Sequence, residues 1–366
     1  TFQGDFMFFD SDLTTAQVMD KFSKIKPAHS FRSKWGYTNA AFGVAGAIFP
    51  KATGKTWAQL LEERIFKPLD MNRTLALSSG IATAENRAAA HTLVQGELKK
   101  VPYGKLENIG PAGSISSSIT DLSKWVIAQL NNGTYQGKTV IPAAAIAQTR
   151  TPHSILGNGG HMFNKAHFAL YGLGWFLEEY SGRKIVAHTG GVNGFVTSIA
   201  LVPEEGLGII VLTNTDANGF FEALRYEIMD AYLKLPYRNY SSVFLTSSQN
   251  DEKERMAELQ KKRDTIASHP NTTLPLAAYT GNYEHSIYGK MNIKEEGGKL
   301  IMRLEHHKGR HGTLEPLGGN RFLCTYSDPI YGTKVLPFTV ASGKVKSLTV
   351  RVADFVEYLP YEFIKK

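Results

Sequence analysis

Two short stretches of this sequence carry side chains that can move protons and hold an acyl group. One is Tyr37-Thr38-Asn39, a phenol and an amide two residues apart. The other is His188-Thr189-Gly190-Gly191, an imidazole and a hydroxyl followed by two glycines at the end of an apolar run. A phenol or an imidazole can relay a proton. Glycines let a substrate lie against the backbone, so that N–H groups face a developing oxyanion. Each stretch alone has a plainer reading. Tyr37-Thr38-Asn39 reads as the turn into a helix with Asn39 as its cap, and His-Thr-Gly as the end of a strand. Their weight comes from occurring in one chain, some 150 residues apart.

The elements around them follow from the hydrophobic pattern. Ile185–His188, Phe195–Val202 and Leu207–Leu212 are β-favouring runs in series, which predicts an antiparallel meander. Gly190, Gly191 and Gly194 are expected to break the first run from the second. The Tyr171–Phe176 segment starts the same sheet. Upstream, a helix is predicted over Thr14–Phe22, capped by Thr14 or Thr15. A second, over Ala40–Phe49, is apolar on all sides and therefore expected to be buried. A third follows the capping-box spacing at Thr56–Gln59 and ends at Pro68. Residues 70–113 read as loop-rich. The serine-rich run from Pro111 to Asp121 reads as the start of the next helix, with Thr120 as N-cap, rather than as a nucleophile. Helices at Ile141–Gln148 and Phe220–Leu233 complete this part. Loops 1–12 and 100–113 are expected to border the substrate.

Composition narrows the function classes. At 42% apolar and 20% charged residues, the 366-residue chain is ordinary for a folded globular protein. It contains no run of about 18 apolar residues, so no membrane-spanning helix is expected. The net charge of +8 is scattered without an arm or stripe, which argues against nucleic acid as a partner. One cysteine, Cys324, excludes an internal disulfide framework. The start, TFQGDFMFFDSD, lacks an initiator Met, a basic run and an apolar run, and is expected to be a cut or processed beginning. From Pro236 the pattern changes. A charged segment, DEKERMAELQKKRD, reads as an exposed connecting helix, and residues 276–366 show short strands with glycine turns that predict a small antiparallel barrel. The division expected is therefore 1–236, a linker at 237–275, and 276–366. His306, His307 and His311 invite a metal reading. Strand alternation separates the first two and no Cys or carboxylate completes a site, so neither metal nor cofactor is expected.

Tyr37-x-Asn39 ahead of His188-Thr189-Gly190, with WGYTNAAFGVAGAI and IFKPLDMNRT flanking, makes residues 1 to about 235 resemble the serine β-lactamase-like, penicillin-recognising hydrolases. The branch resembled contains class C β-lactamases, DD-carboxypeptidases, D-aminopeptidases and family VIII esterases. Residues 276–366 resemble the lipocalin-like domain of some of these peptidases. The resemblance implies an α+β, β-lactamase/DD-peptidase fold, an antiparallel sheet flanked by helices with an all-α subdomain, followed by the barrel.

It also implies roles. Tyr37 would complete a proton relay, Asn39 would bond a lysine and the substrate amide, and His188 stands where many relatives have lysine. Thr189 and Gly190 would line the substrate, and the Gly191 N–H would form half an oxyanion hole. The family nucleophile is a serine with a lysine three residues later, on one helix face. Two such spacings exist here and neither fits. Ser23–Lys26 is polar and lies 14 residues before Tyr37, and Ser181–Lys184 sits in a turn. The nucleophile is therefore expected outside these residues, on an absent N-terminal segment that could be a separate chain. The implied activity is that of a serine hydrolase forming an acyl-enzyme on D-amino-acid peptides or related amides and esters. The alternatives are an inactive relative that binds cell-wall peptides or a protein, and a β-lactamase. Export, a small peptide or acyl substrate, and room for a homo-oligomer are further implications.

Overall fold

Alternation of apolar side chains along Ile185–Thr213 builds the centre of a six-stranded antiparallel sheet. Its strands are Ser154–Asn158, Phe168–Tyr171, Phe176–Tyr180, Arg183–Val192, Phe195–Val202 and Leu207–Thr213, each beside the next in the chain. The computed structural model describes residues 5–353 and 361–366. Ile185 and Ala187 pack with Met229 and Leu233, on and just after the Phe220–Tyr232 helix. Val186 points the other way, into a cluster with Leu201, Trp175 and Val126 of the Ile119–Leu130 helix. Both faces are thus covered, and full burial of Val186 and Leu201 contributes about 1.5–3 kcal/mol each. The expected strand break at the glycines does not occur. Gly190 and Gly191 stay in the ladder, opposite Thr197 and Val196, and the chain turns only at Asn193-Gly194, where Gly194 has φ 73°.

The helical side departs from expectation in instructive ways. Thr14 caps the Thr15–Phe22 helix in a full capping box with Gln17. The next helix runs Asn39–Thr53, so Asn39 is its first residue and not its cap. Thr38 makes no side-chain cap bond; the buried Asp5 carboxylate instead accepts the Ala40 N–H at 2.8 Å. Nor is this helix buried all round. Ala40, Gly43 and Gly46 form the covered stripe, whereas Val44, Ile48 and Phe49 are exposed. Gly46 is set by close approach, since a Cβ there would lie 2.3 Å from the Pro111 ring. Residues 70–113 contain a hairpin, Ala90–Val94 with Glu97–Val101. Ser118, not Thr120, caps the Ile119–Leu130 helix, while Asp121 turns inward to accept the Arg73 N–H and the Thr74 hydroxyl. The helix expected at Ile141–Gln148 runs Ala143–Thr149, starting after Pro142.

The charged segment is one helix, Tyr240–Ala267, buried at Tyr240 in its first turn and at Leu259 further along. At the first turn the Tyr180 and Tyr240 hydroxyls and the Arg238 guanidinium converge on buried Asp230, Tyr240 at 3.1 Å and Arg238 at 3.3 Å. The helix leads to a closed barrel of eight antiparallel strands from Gly281–His285 to Tyr361–Lys365. Its interior is filled by alternate residues, among them Tyr283, Met291, Ile293, Phe322, Leu336 and Phe363. Burial pushes the Cys324 thiol inside it up to about 12, so it packs as an inert small hydrophobe. His306 and His307 are not on a strand, because the preceding strand ends at Leu304 and the next begins at Gly312. Among the described residues no group of three His, Cys, Asp or Glu is placed to hold a metal, and no helix is long and apolar enough to cross a membrane.

Asp230 is the joint between the sheet and the connecting helix. Asp230→Ala leaves three donors without their shared acceptor and is expected to lower unfolding free energy by about 2–3 kcal/mol, read by urea denaturation.

Candidate active site

The site forms where the Arg183–Val192 strand outruns its neighbour. The Phe176–Tyr180 strand pairs with it only as far as Ala187, opposite Phe176. On its other side pairing continues to Val192, opposite Phe195, across the two-residue Asn193-Gly194 turn. Residues joined by a two-residue turn exchange their N–H and C=O bonds, and such pairs alternate along the ladder. Val192, Gly190 and His188 therefore bond towards Phe195–Val202. Thr189 and Gly191 present their backbone groups to the side that has no strand. Among the described residues nothing lies within 4 Å of where a Gly191 side chain would begin, whereas one at Gly190 would meet the Thr197 hydroxyl at 2.8 Å. Gly191 thus offers an uncovered N–H beside open space.

Tyr37 and His188 meet at this edge, with ring centroids 6.2 Å apart. They are held by an aromatic group that motif reading passed over. Trp35 packs on Tyr37, Tyr171 and Phe176 at 6.2, 5.9 and 6.4 Å, and Phe176 lies 5.1 Å from the His188 ring. The Tyr171 hydroxyl is 3.2 Å from His188 Nε2, and His188 Nδ1 is 2.5 Å from the Thr189 carbonyl oxygen. A carbonyl can only accept, so Nδ1 carries the proton, Nε2 is the acceptor and Tyr171 donates to it. Burial, against a smaller opposing effect of the Thr189 carbonyl, lowers the His188 pKa. The imidazole is neutral, with one tautomer fixed. The sequence signal for Tyr171 was present, a tyrosine directly before Gly-Leu-Gly-Trp.

Asn39 sits behind Tyr37, buried at the start of its helix, and shares Asp5 with the Ala40 N–H. Burial raises the Asp5 pKa against the pull of these hydrogen bonds. Tyr37 is pushed upward too, first by burial and then by the Asp5 charge. A phenolate at Tyr37 would need a cation beside it. Both serine–lysine spacings are structural. Ser23 closes the first helix and its hydroxyl donates to the Asp20 carbonyl at 2.7 Å. Ser181-Gly182 is a hairpin turn with φ of 48° and 75°. Of the loops expected to border the substrate, residues 1–4 of the first lie outside the described residues, and its described part contributes Met7 and Phe8 to the core.

A sequence model of the beta-lactamase family matches residues 1–233. The chain belongs to the beta-lactamase family. Residues 267–363 match a second family, a domain of unknown function termed DUF3471. Among curated relatives of this beta-lactamase-family chain, the unguisins hydrolase of Aspergillus campestris is 28% identical over 279 residues, covering 72% of this chain and 49% of that protein. The D-alanyl-D-alanine-carboxypeptidase/endopeptidase of Escherichia coli (strain K12) is 27% identical over 216 residues, covering 58% and 53%. The D-aminopeptidase of Brucella anthropi is 25% identical over 232 residues, covering 62% and 40%. The chain spans about half the length, or less, of these relatives. In fold it is similar to the octameric penicillin-binding protein homologue from Pyrococcus abyssi, with TM-score 0.51 and 17% identity over 96% of this chain and 70% of that one. These relatives include hydrolases and peptidases, and the family match covers the α+β domain while the barrel belongs to the second match.

The fixed tautomer has a measurable consequence. Nitrogen-detected NMR of His188 should show a predominantly neutral Nδ1–H imidazole above pH 7, with its midpoint below the usual 6.5. Tyr171→Phe removes a bond that favours the neutral form, so the midpoint should rise. Burial also lowers the pKa of His161, His285 and His307. Unfolded, these groups bind protons near pH 6.5; folded, only at lower pH. Between those values the unfolded state holds more protons, so stability should fall as pH drops below about 6.5. Thermal melts from pH 8 to 5 test this.

Proposed function

We propose that this chain supplies the substrate-holding part of a serine hydrolase that passes through an acyl-enzyme. Its substrates are D-amino-acid peptides or related amides and esters. The observation that carries the reading is the meeting of Tyr37 and His188, 6.2 Å apart, at a strand edge whose Gly191 N–H is uncovered. Two segments far apart in sequence converge where an extended acyl substrate could add to the sheet. In this reading the Gly191 amide receives the oxyanion, together with the N–H of the nucleophile itself. Tyr37 relays the proton between nucleophile and leaving group. Its upward-shifted phenol does so once a lysine, paired with the serine outside these residues, brings a positive charge to it. Asn39 orients that lysine and the substrate amide. Thr189 and Gly190 line the bound chain, and neutral His188 gives it a hydrogen bond rather than a full charge.

The neutral imidazole also bears on substrate class. A cation holds a carboxylate through charge, and a neutral ring does so less firmly. That favours peptides, amides and esters over β-lactams, whose recognition leans on the carboxylate. The carboxypeptidase and aminopeptidase names of two relatives support the same side, and the name beta-lactamase of a third, from Escherichia coli (strain K12), supports the other.

In the protein from its native source, Tyr37→Phe should reduce hydrolysis of a D-alanyl peptide or a p-nitrophenyl ester by roughly 10²–10⁴-fold with little change in melting temperature. Equal turnover in the variant would remove Tyr37 from the reaction. Labelling with a fluorescent fluorophosphonate locates the nucleophile independently. Label on Ser23 or Ser181 of this chain would overturn its assignment to a segment elsewhere.

A further inference from the structure

The turn of the barrel that carries the histidines, residues 305–311, does not face solvent freely. It lies on residues 9–12 of the catalytic domain. His307 Nε2 is 3.0 Å from the Phe9 carbonyl oxygen, His306 Nδ1 is 2.9 Å from Asp12, and the Lys308 ammonium is 2.7 Å from Asp12. The Asp12 N–H donates to the His306 carbonyl at 2.9 Å. Next to them, Arg310 reaches Asp10 twice, by an ion pair at 3.4 Å and by a bond to its carbonyl at 3.1 Å, and also pairs with Asp328 at 2.8 Å.

Asp10 is more than one end of this contact. Its side chain is almost wholly buried, and its backbone sits at φ 53°, an uncommon region for any residue but glycine. Its carboxylate takes one ion pair and accepts three hydrogen bonds, from four segments of the chain. The partners are the Arg310 guanidinium, the Tyr331 hydroxyl at 3.3 Å, the Lys105 N–H at 2.7 Å, and the Asn193 side-chain amide at 2.8 Å. Asn193 is the first residue of the turn that closes the Gly191 strand, two positions beyond Gly191 itself. A single carboxylate therefore ties the barrel to the turn that fixes the catalytic edge.

We propose that Asp10 is a positioning residue through which the barrel's 305–311 turn holds the Asn193-Gly194 turn, and with it the Gly191 amide. The proposal rests on the reading of the strand edge as the substrate side. It gives the barrel a role in the reaction without any contact with substrate. Charged contacts to a buried carboxylate are strong and directional, so loss of the Arg310 end should loosen the Asn193-Gly194 turn. The four partners share one carboxylate, and their effects should couple rather than add.

Amide hydrogen exchange of the full chain, followed by mass spectrometry, tests the coupling without needing turnover. Arg310→Ala should speed exchange of residues 189–195 about tenfold, although those residues do not touch it, and Arg310→Lys should restore part of the protection. Asn193→Ala should speed the same amides while leaving the barrel's exchange as in wild type. The double variant should exchange no faster than Asn193→Ala alone. In the native enzyme, both variants should lower kcat more than they raise KM, because the oxyanion forms only in the transition state. Wild-type exchange at 189–195 in Arg310→Ala, or simple additivity in the double variant, would overturn the proposal. Unchanged turnover in Tyr37→Phe with the exchange coupling intact would instead count against the assigned reaction alone.

Discussion

Aromatic packing across about 150 residues of chain is the constraint on which the candidate site depends. Trp35 lies against Tyr37 on its own segment and against Tyr171 and Phe176 on the sheet. Ring contacts of this kind contribute roughly 0.5–1.5 kcal/mol each beyond simple burial. They bring the phenol and the imidazole together.

The same packing sets the electrical character of the site. Low-dielectric surroundings disfavour charge, and they push the phenols of Tyr37 and Tyr171 up and the imidazole of His188 down. What results is a set of neutral donors and acceptors of fixed orientation. Such an edge can rearrange hydrogen bonds with little reorganisation, and it takes on charge only when a charged partner arrives. Asp5 shows how the domain manages an acidic group in this setting. It is buried at a helix N-terminus, where two backbone N–H groups compensate it.

Much of this was legible in the sequence, and the failures have identifiable causes. The meander, the barrel, the connecting helix and the two motifs all follow from period-two patterning, turn residues and local spacing. The break expected at Gly190-Gly191 fails because glycine permits a turn without requiring one, and a paired strand supplied the ladder instead. Asn39 as a cap fails because the acceptor that caps its helix, Asp5, comes from another part of the chain. Thr120 fails for a smaller reason, since Ser118 reaches the free N–H groups first. Tyr171 reads only as the start of a strand, because Tyr-Gly-Leu-Gly-Trp marks the sheet locally but says nothing of the His188 ring that its hydroxyl meets. His306 and His307 were read as strand residues, and only the docking of the barrel on residues 9–12 makes sense of them. Long-range partners of this kind leave no trace in neighbouring residues.

The two-residue turn at Asn193-Gly194 has one further consequence. By closing the hairpin it counts residues, and the count decides whether an odd-numbered or an even-numbered backbone amide looks outward. Lengthening that turn by one residue could shift the register and hand the outward position to Gly190, whose space is already taken by Thr197. The strand's chemistry is therefore a matter of parity as much as of side chains. A single-residue insertion or deletion between His188 and Phe195 would change that parity. Length variation in this protein should be sought in the turns facing away from the edge, and not here.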